Sequence, residues 1–343
     1  MSELTLRPGT PDLRTPVMAL AALATLAWAP NREGRGTPAA RLSSEEIALP
    51  VRYMDDRFAV APVTERGDTL VLFTDTGGGT SRLWTETSNR LGLEAERVVL
   101  ERDTLTVVSL PRLRQNAMIP APNEPSPIGQ RLIVVEAGGT RVGTDGFLGR
   151  MWFADRVWVF DYPRRSLTLL PNATRAAASA HRVPLGFQRD STGRATRHFA
   201  RIRVAVDGDS LDLLFDTGAT LKLTDSARVT LAAWGFAGPA ERATSFIAQS
   251  VFDRWRSDHP NWRVIERADV AFGTQHPIIE VPRLAVAGYE VGPVWFTMRS
   301  TRSFQGMSTA MDAPIVGALG GSALKYFRIT VDYPSGTATF ERR

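Results

Sequence analysis

From about residue 48 onward the apolar residues come in runs too short for most helices. Gly, Pro, Asn or Asp break them every few positions, and this pattern predicts strands over residues 57–63, 68–75, 97–109, 131–136 and 156–170. Helix is the minority component. The spacing predicts a short helix starting near Ser81 and ending at Arg90-Leu91-Gly92, and a longer one from about Thr244 to Arg256. Residues 111–129 carry five prolines and read as a loop or covering arm.

The same pattern occurs twice. Residues 58–77 (FAVAPVTERGDTLVLFTDTG) and residues 199–218 (FARIRVAVDGDSLDLLFDTG) align without a gap, so that Phe58 and Phe199, Gly67 and Gly208, and Asp75 and Asp216 are each 141 positions apart. Further along, GFLG at 146–149 and FDYP at 160–163 return as GALG at 317–320 and VDYP at 331–334, now offset by 171. The second half therefore carries about 30 extra residues between its two signatures. Each half implies one unit: a hairpin turning at Gly67-Asp68 or Gly208-Asp209, an outgoing strand that ends in Asp-Thr-Gly, an apolar strand into Gly-x-Leu-Gly, and a closing pair around Asp-Tyr-Pro. The polar, alanine-rich stretch 171–182 suits an interlobe connection. The chain thus divides into residues 1–45 (a signal-like segment and linker), residues 46–175 (an N-terminal lobe) and residues 176–343 (a C-terminal lobe).

Composition narrows the function classes. At 343 residues the chain is long enough for two lobes with their own cores, and 28 Gly with 22 Pro suit a turn-rich β protein. A net charge of +5 raises nucleic-acid binding. The 41 basic residues, however, are all Arg except Lys222 and Lys325, and lie scattered among 36 acids with no basic helix, so no nucleic-acid partner is expected. Cysteine is absent, which excludes disulfides, thiol nucleophiles and Cys-ligated metals. The four histidines (181, 198, 259 and 276) lack metal-ligand spacing, and no cofactor is expected. Arg7 and Arg14 precede the apolar run 17–29, the length of a secretory core and short for a membrane span. Export to a periplasmic or secreted location is expected, with retention by an uncleaved segment as the alternative.

A single Asp-Thr-Gly is weak evidence, since composition alone gives about a tenth of a chance occurrence. Here each copy follows an apolar strand (LVLFT before Asp75, LDLLF before Asp216) and sits at the same place in a repeat. On those residues, with PIVGALGG at 314–321 and GFLG at 146–149, the chain resembles the pepsin-like and retropepsin-like aspartic proteases. The resemblance covers roughly residues 50–343. It implies a mainly β, two-lobed pepsin-like acid-protease fold built from two retropepsin-like repeats with few short helices. It also implies an aspartic endopeptidase in which Asp75 and Asp216 form a catalytic pair, one taking a proton from water and the other donating to the scissile carbonyl. Thr76 and Thr217 would cross-link the two loops, and Gly77 and Gly218 would allow their close approach. A peptide or protein would be the substrate, and a monomer would suffice because one chain holds both motifs. Two departures are visible: Gly78 stands where the family usually has Ala or Ser, and no tyrosine lies between positions 54 and 161 to serve on a flap.

Two rival readings remain. One keeps the fold as a catalytically inactive peptide-binding protein. The other takes residues 75–80 (DTGGGT) as the glycine-rich phosphate loop of a kinase-like or ATPase-like protein, which leaves the second strand-DTG unit unexplained.

Overall fold

Two large sheets follow one strand order. The computed structural model describes residues 46–100, 103–138, 143–171, 180–271 and 273–342. The apolar run 17–29, the linker and the lobe boundary near residue 175 lie outside the described residues. In the first half the order runs Phe58–Val60, Leu72–Thr74, Gly146–Leu148, Arg82–Trp84, Arg131–Val135, Asp103–Ser109, Ala95–Leu100, with Val51–Tyr53 added at the near edge. In the second half it runs Arg201–Val206, Asp209–Phe215, Gly317–Leu319, Ser245–Ala248, Val294–Arg299, His276–Val281, Val264–Asp269, with Leu284–Val286 and then Tyr289–Val291 added at the near edge. The strand senses agree as well: the Asp-bearing strand pairs in parallel with the Gly-x-Leu strand in both halves.

A six-stranded sheet is shared between the halves. Val157–Asp161 and Phe327–Asp332, the strands that end at the Asp-Tyr-Pro turns, pair antiparallel at its centre, with Val159 opposite Thr330. Those two residues are 171 positions apart, the offset of the repeat itself, so the pseudo-twofold axis of the chain passes through this pair. Asp161 and Asp332 each accept a hydrogen bond from the backbone three residues on, at Arg164 (3.1 Å) and Ser335 (2.9 Å), which closes the following turn. Phe160 and Phe215, from different halves, pack edge to face at 6.3 Å within one core that spans both. The architecture is mainly β: two sheets that share a strand order, and a third sheet to which both halves contribute.

Local detail differs from the sequence reading in three respects. The helix expected from Ser81 begins at Thr85 (Thr85–Leu91), and the one expected from Thr244 begins at Gln249 (Gln249–Asp258). In each case the preceding residues are taken by a strand, Arg82–Trp84 or Ser245–Ala248, wedged between two partners in the middle of its sheet. Tertiary pairing outweighs a marginal helix preference there. The expected strands 97–109 and 156–170 are each a hairpin, Ala95–Leu100 with Asp103–Ser109 and Val157–Asp161 with Ser166–Leu170. The first-half hairpin around Gly67 pairs regularly only at Ala59 and Val60, because Pro62 offers no amide, whereas its counterpart pairs from Arg201 to Val206 and turns at Asp207-Gly208, both with positive φ.

The extra length of the second half falls mainly just after its Asp-Thr-Gly. The strand that enters the sheet centre starts seven residues after Asp75 but twenty-nine after Asp216. The added residues form a hairpin, Thr220–Lys222 with Glu241–Ala243, and the helix Asp225–Ala233, capped by Thr224 accepting from the Ala227 amide. Leu221, Leu223, Ala227 and Leu231 pack this insert on Ala268, Ile278 and Trp295 of the sheet.

Candidate active site

The fully buried strand Leu72–Thr74 delivers Asp75, and Asp209–Phe215 delivers Asp216. Each aspartate is fixed by its own backbone: the Asp75 amide donates to the Leu148 carbonyl and the Asp216 amide to the Leu319 carbonyl, both at 3.0 Å. The Gly-x-Leu-Gly strands therefore set the height of the two loops.

The loops then hold each other. The Thr76 hydroxyl donates to the Phe215 carbonyl at 2.7 Å and accepts from the Thr217 amide at 3.0 Å, while the Thr217 hydroxyl accepts from the Thr76 amide at 3.2 Å. Both threonines are almost wholly buried, so each of these bonds would leave an unpaired buried group if lost. Inside each loop the carboxylate is oriented by the glycine amide two residues on, Gly77 to Asp75 Oδ1 at 2.9 Å and Gly218 to Asp216 Oδ1 at 3.0 Å. The glycines are required by close approach. A β-carbon on Gly77 would lie 2.7 Å from Asp216 Cγ, and one on Gly218 would lie 2.2 Å from Asp75 Cγ.

Asp75 and Asp216 are thus brought together, each carboxyl lying against the glycine of the other's loop and close enough to act on the other's titration. Two carboxyls this close lower their mutual repulsion by sharing one proton. Burial pushes the Asp216 carboxyl well above the ordinary carboxylate range, the neighbouring Asp75 carboxyl pushes the same way, and the Gly218 and Ala219 amides oppose them. The two carboxyls titrate as one system. Asp75 is 9% exposed and Asp216 8%, so the pair is largely desolvated. Tyr162 and Tyr333, from the Asp-Tyr-Pro turns, are buried near the pair, and burial raises both phenols.

Beyond the six residues named from sequence, the structure adds Arg57. Its guanidinium, 2% exposed, reaches from the first half to the Thr220 hydroxyl (2.9 Å), the Glu241 carboxylate (3.3 Å) and the Glu241 carbonyl (3.2 Å), beside the second Asp-Thr-Gly loop. The repeat itself holds a signal for this position: residue 57 corresponds to His198, which in turn meets Asp155 of the first half at 3.5 Å. Each half reaches across with the residue just before its phenylalanine.

In the proposed phosphate loop the amides face inward, Gly77 to the Asp75 carboxylate and Gly78 to the Asp75 carbonyl. Among the described residues no group of three or more His, Asp or Glu could hold a metal ion, and no helix is long and apolar enough to cross a membrane.

No family model matches the chain, and no curated protein matches its sequence. Among solved structures, the aspartic proteinase from Irpex lacteus is similar at 14% identity and a TM-score of 0.44, over 87% of this chain and 97% of that one.

Proposed function

We propose that this chain is an aspartic endopeptidase acting through Asp75 and Asp216. The observation that carries the reading is the buried, closely apposed carboxyl pair supplied by two equivalent, cross-bonded loops of one chain. Asp216, whose carboxyl burial favours in the neutral form, holds the proton and donates to the scissile carbonyl oxygen. Asp75 is the base that takes a proton from the attacking water. The tetrahedral gem-diol then collapses: Asp75 gives the proton it took from water to the amide nitrogen, the C–N bond breaks and the amine leaves, and Asp216 takes back its proton from the hydroxyl that becomes the carbonyl of the new carboxyl group. Neither a covalent intermediate nor a metal takes part in this scheme.

Peptide bonds between bulky apolar residues are the proposed substrate. The decisive experiment compares wild type with Asp75→Asn and Asp216→Asn on a peptide library. Each variant is expected to lose turnover by about 10³-fold or more while keeping its far-UV spectrum, and wild type is expected to show a rate maximum in acid. A rate that stays flat from pH 4 to 9 would contradict a shared proton. Mixing the two variants is expected to restore nothing. An active Asp75→Asn together with specific activity that falls on dilution would replace the intramolecular pair by one formed between two chains. Peptide binding without turnover by wild type would leave only the inactive scaffold.

A further inference from the structure

Gly78 stands where Ala or Ser is customary and where the second loop has Ala219. The strand behind the loop supplies the reason. A β-carbon on Gly78 would stand 2.0 Å from Cζ of Phe147 and 3.0 Å from Cγ of Asp75, well inside the carbon–carbon contact distance of about 3.5–4.0 Å. The ring has little room to yield: Phe147 is 2% exposed and packed with Phe73, Trp84 and Val135. Its strand runs parallel to Leu72–Thr74, with Phe147 opposite Phe73, directly below the loop that carries Asp75.

The second half solves the same packing the other way round. The residue at the equivalent register, opposite Leu214, is Ala318, and the loop above it carries a methyl at Ala219. Its apolar bulk comes from elsewhere, with Phe304, Met311 and Ile315 joining Ala318 in one cluster. One half thus pairs a ring with a bare loop position and the other pairs two methyls. The Gly78 carbonyl is held in addition by the Arg150 amide (3.3 Å) and guanidinium (3.4 Å), so a loop lifted off the ring would also strain those bonds.

We propose that Phe147 is a positioning residue for Asp75, coupled to Gly78: its ring takes the place of the absent loop side chain and sets where the Asp75 carboxyl sits against Asp216. The proposal rests on the reading of Asp75 and Asp216 as the working pair. The second Asp-Thr-Gly loop needs no such ring, so the weaker match of the first motif is a compensated exchange and not a decayed one.

The test is Gly78→Ala made in wild type and in a Phe147→Ala background, with kcat, KM and Tm measured for all four proteins. In wild type the added methyl is expected to lower kcat about tenfold or more, to change KM by less than about twofold, and to lower Tm by a few degrees. In the Phe147→Ala background the same methyl is expected to be neutral or to recover part of kcat. If Phe147→Ala does not fold, Phe147→Leu provides the shortened side chain. Equal effects of Gly78→Ala in both backgrounds overturn the coupling, and an equal loss spread over KM overturns the positioning role. Because Tm is read without substrate, coupled Tm values with no turnover by any protein, wild type included, sink the protease reading and the positioning role with it. Additive effects in an active enzyme sink the pairing alone.

Discussion

Thr76 shows how much one hydroxyl can hold in this molecule. It donates to the Phe215 carbonyl and accepts from the Thr217 amide, so it satisfies two buried groups of the opposite half at once. Thr76→Val keeps the shape and removes both bonds. The loss is expected to be about 2–4 kcal/mol by urea unfolding, at roughly 1–3 kcal/mol for each group left unpaired. Thr76→Ser keeps the hydroxyl and is expected to cost less than about 1 kcal/mol by the same measurement. If Val and Ser proved equally mild, the cross-bonded loops would not be what joins the halves here. Aspartate, threonine and glycine were all legible at these positions because the chemistry fixes the residue type. The ring of Phe147 was not, since an apolar residue before Leu-Gly reads the same whatever its size.

At the scale of elements, the loop before each Phe58-type strand acts as a clasp on the other half. Residues 54–57 dock on the second half through Arg57 and through the Asp55 carbonyl, which accepts from the Ala243 amide at 3.2 Å. Asp55 and Asp56 both take positive φ to make that approach. Arg57→Met removes the charge and leaves Glu241 and Thr220 facing an apolar chain. It is expected to destabilise by about 2–3 kcal/mol, less than for a fully buried pair because Glu241 is partly solvated. Arg57→Lys is expected to recover less than half of this, since an ammonium cannot fork to the hydroxyl, the carboxylate and the carbonyl together. Parallel chemical-denaturation curves for the two variants check it. The helix boundaries depart from the sequence pattern at this same scale. Whether the residues after Ser81 join a helix or a sheet is decided by the strands on either side, Arg131–Val135 and Gly146–Leu148, which come from fifty or more positions away.

For the molecule as a whole, the buried pair links stability to pH. The folded-state Asp216 carboxyl is raised above its unfolded value, so between those two pKa values the native state binds more protons than the unfolded state. This contribution is therefore fully present below the ordinary carboxylate range, and it is lost as pH rises through the raised folded value. Wild type is expected to lose stability from about pH 4 upward, by about 1.4 kcal/mol for every tenfold by which folding tightens the hold of Asp216 on its proton. In Asp216→Asn that slope is expected to vanish, leaving a higher Tm than wild type near neutral pH. Tm against pH for both proteins measures it, and parallel profiles would mean that the carboxyl is not held neutral by the fold. Stability given up at neutral pH is then the cost of keeping a proton between two carboxyls.

The sequence by itself determined the repeat, and through it the outline of the molecule. Two strand-Asp-Thr-Gly units at one offset and two Gly-x-Leu-Gly/Asp-Tyr-Pro units at another require a duplicated, mainly β chain whose halves contribute alike. Residue identity carries that information because Asp, Thr and Gly have properties no neighbour in the sequence can replace. Only the tertiary structure decided what depends on contacts between distant positions. It decided that the six-stranded sheet joins the halves through Val159 and Thr330, that the insert after Asp216 folds onto its own sheet, that Arg57 crosses to Glu241, and that Gly78 makes room for Phe147. Volume, register and charge pairing are properties of two residues at once, and a linear pattern records them one at a time.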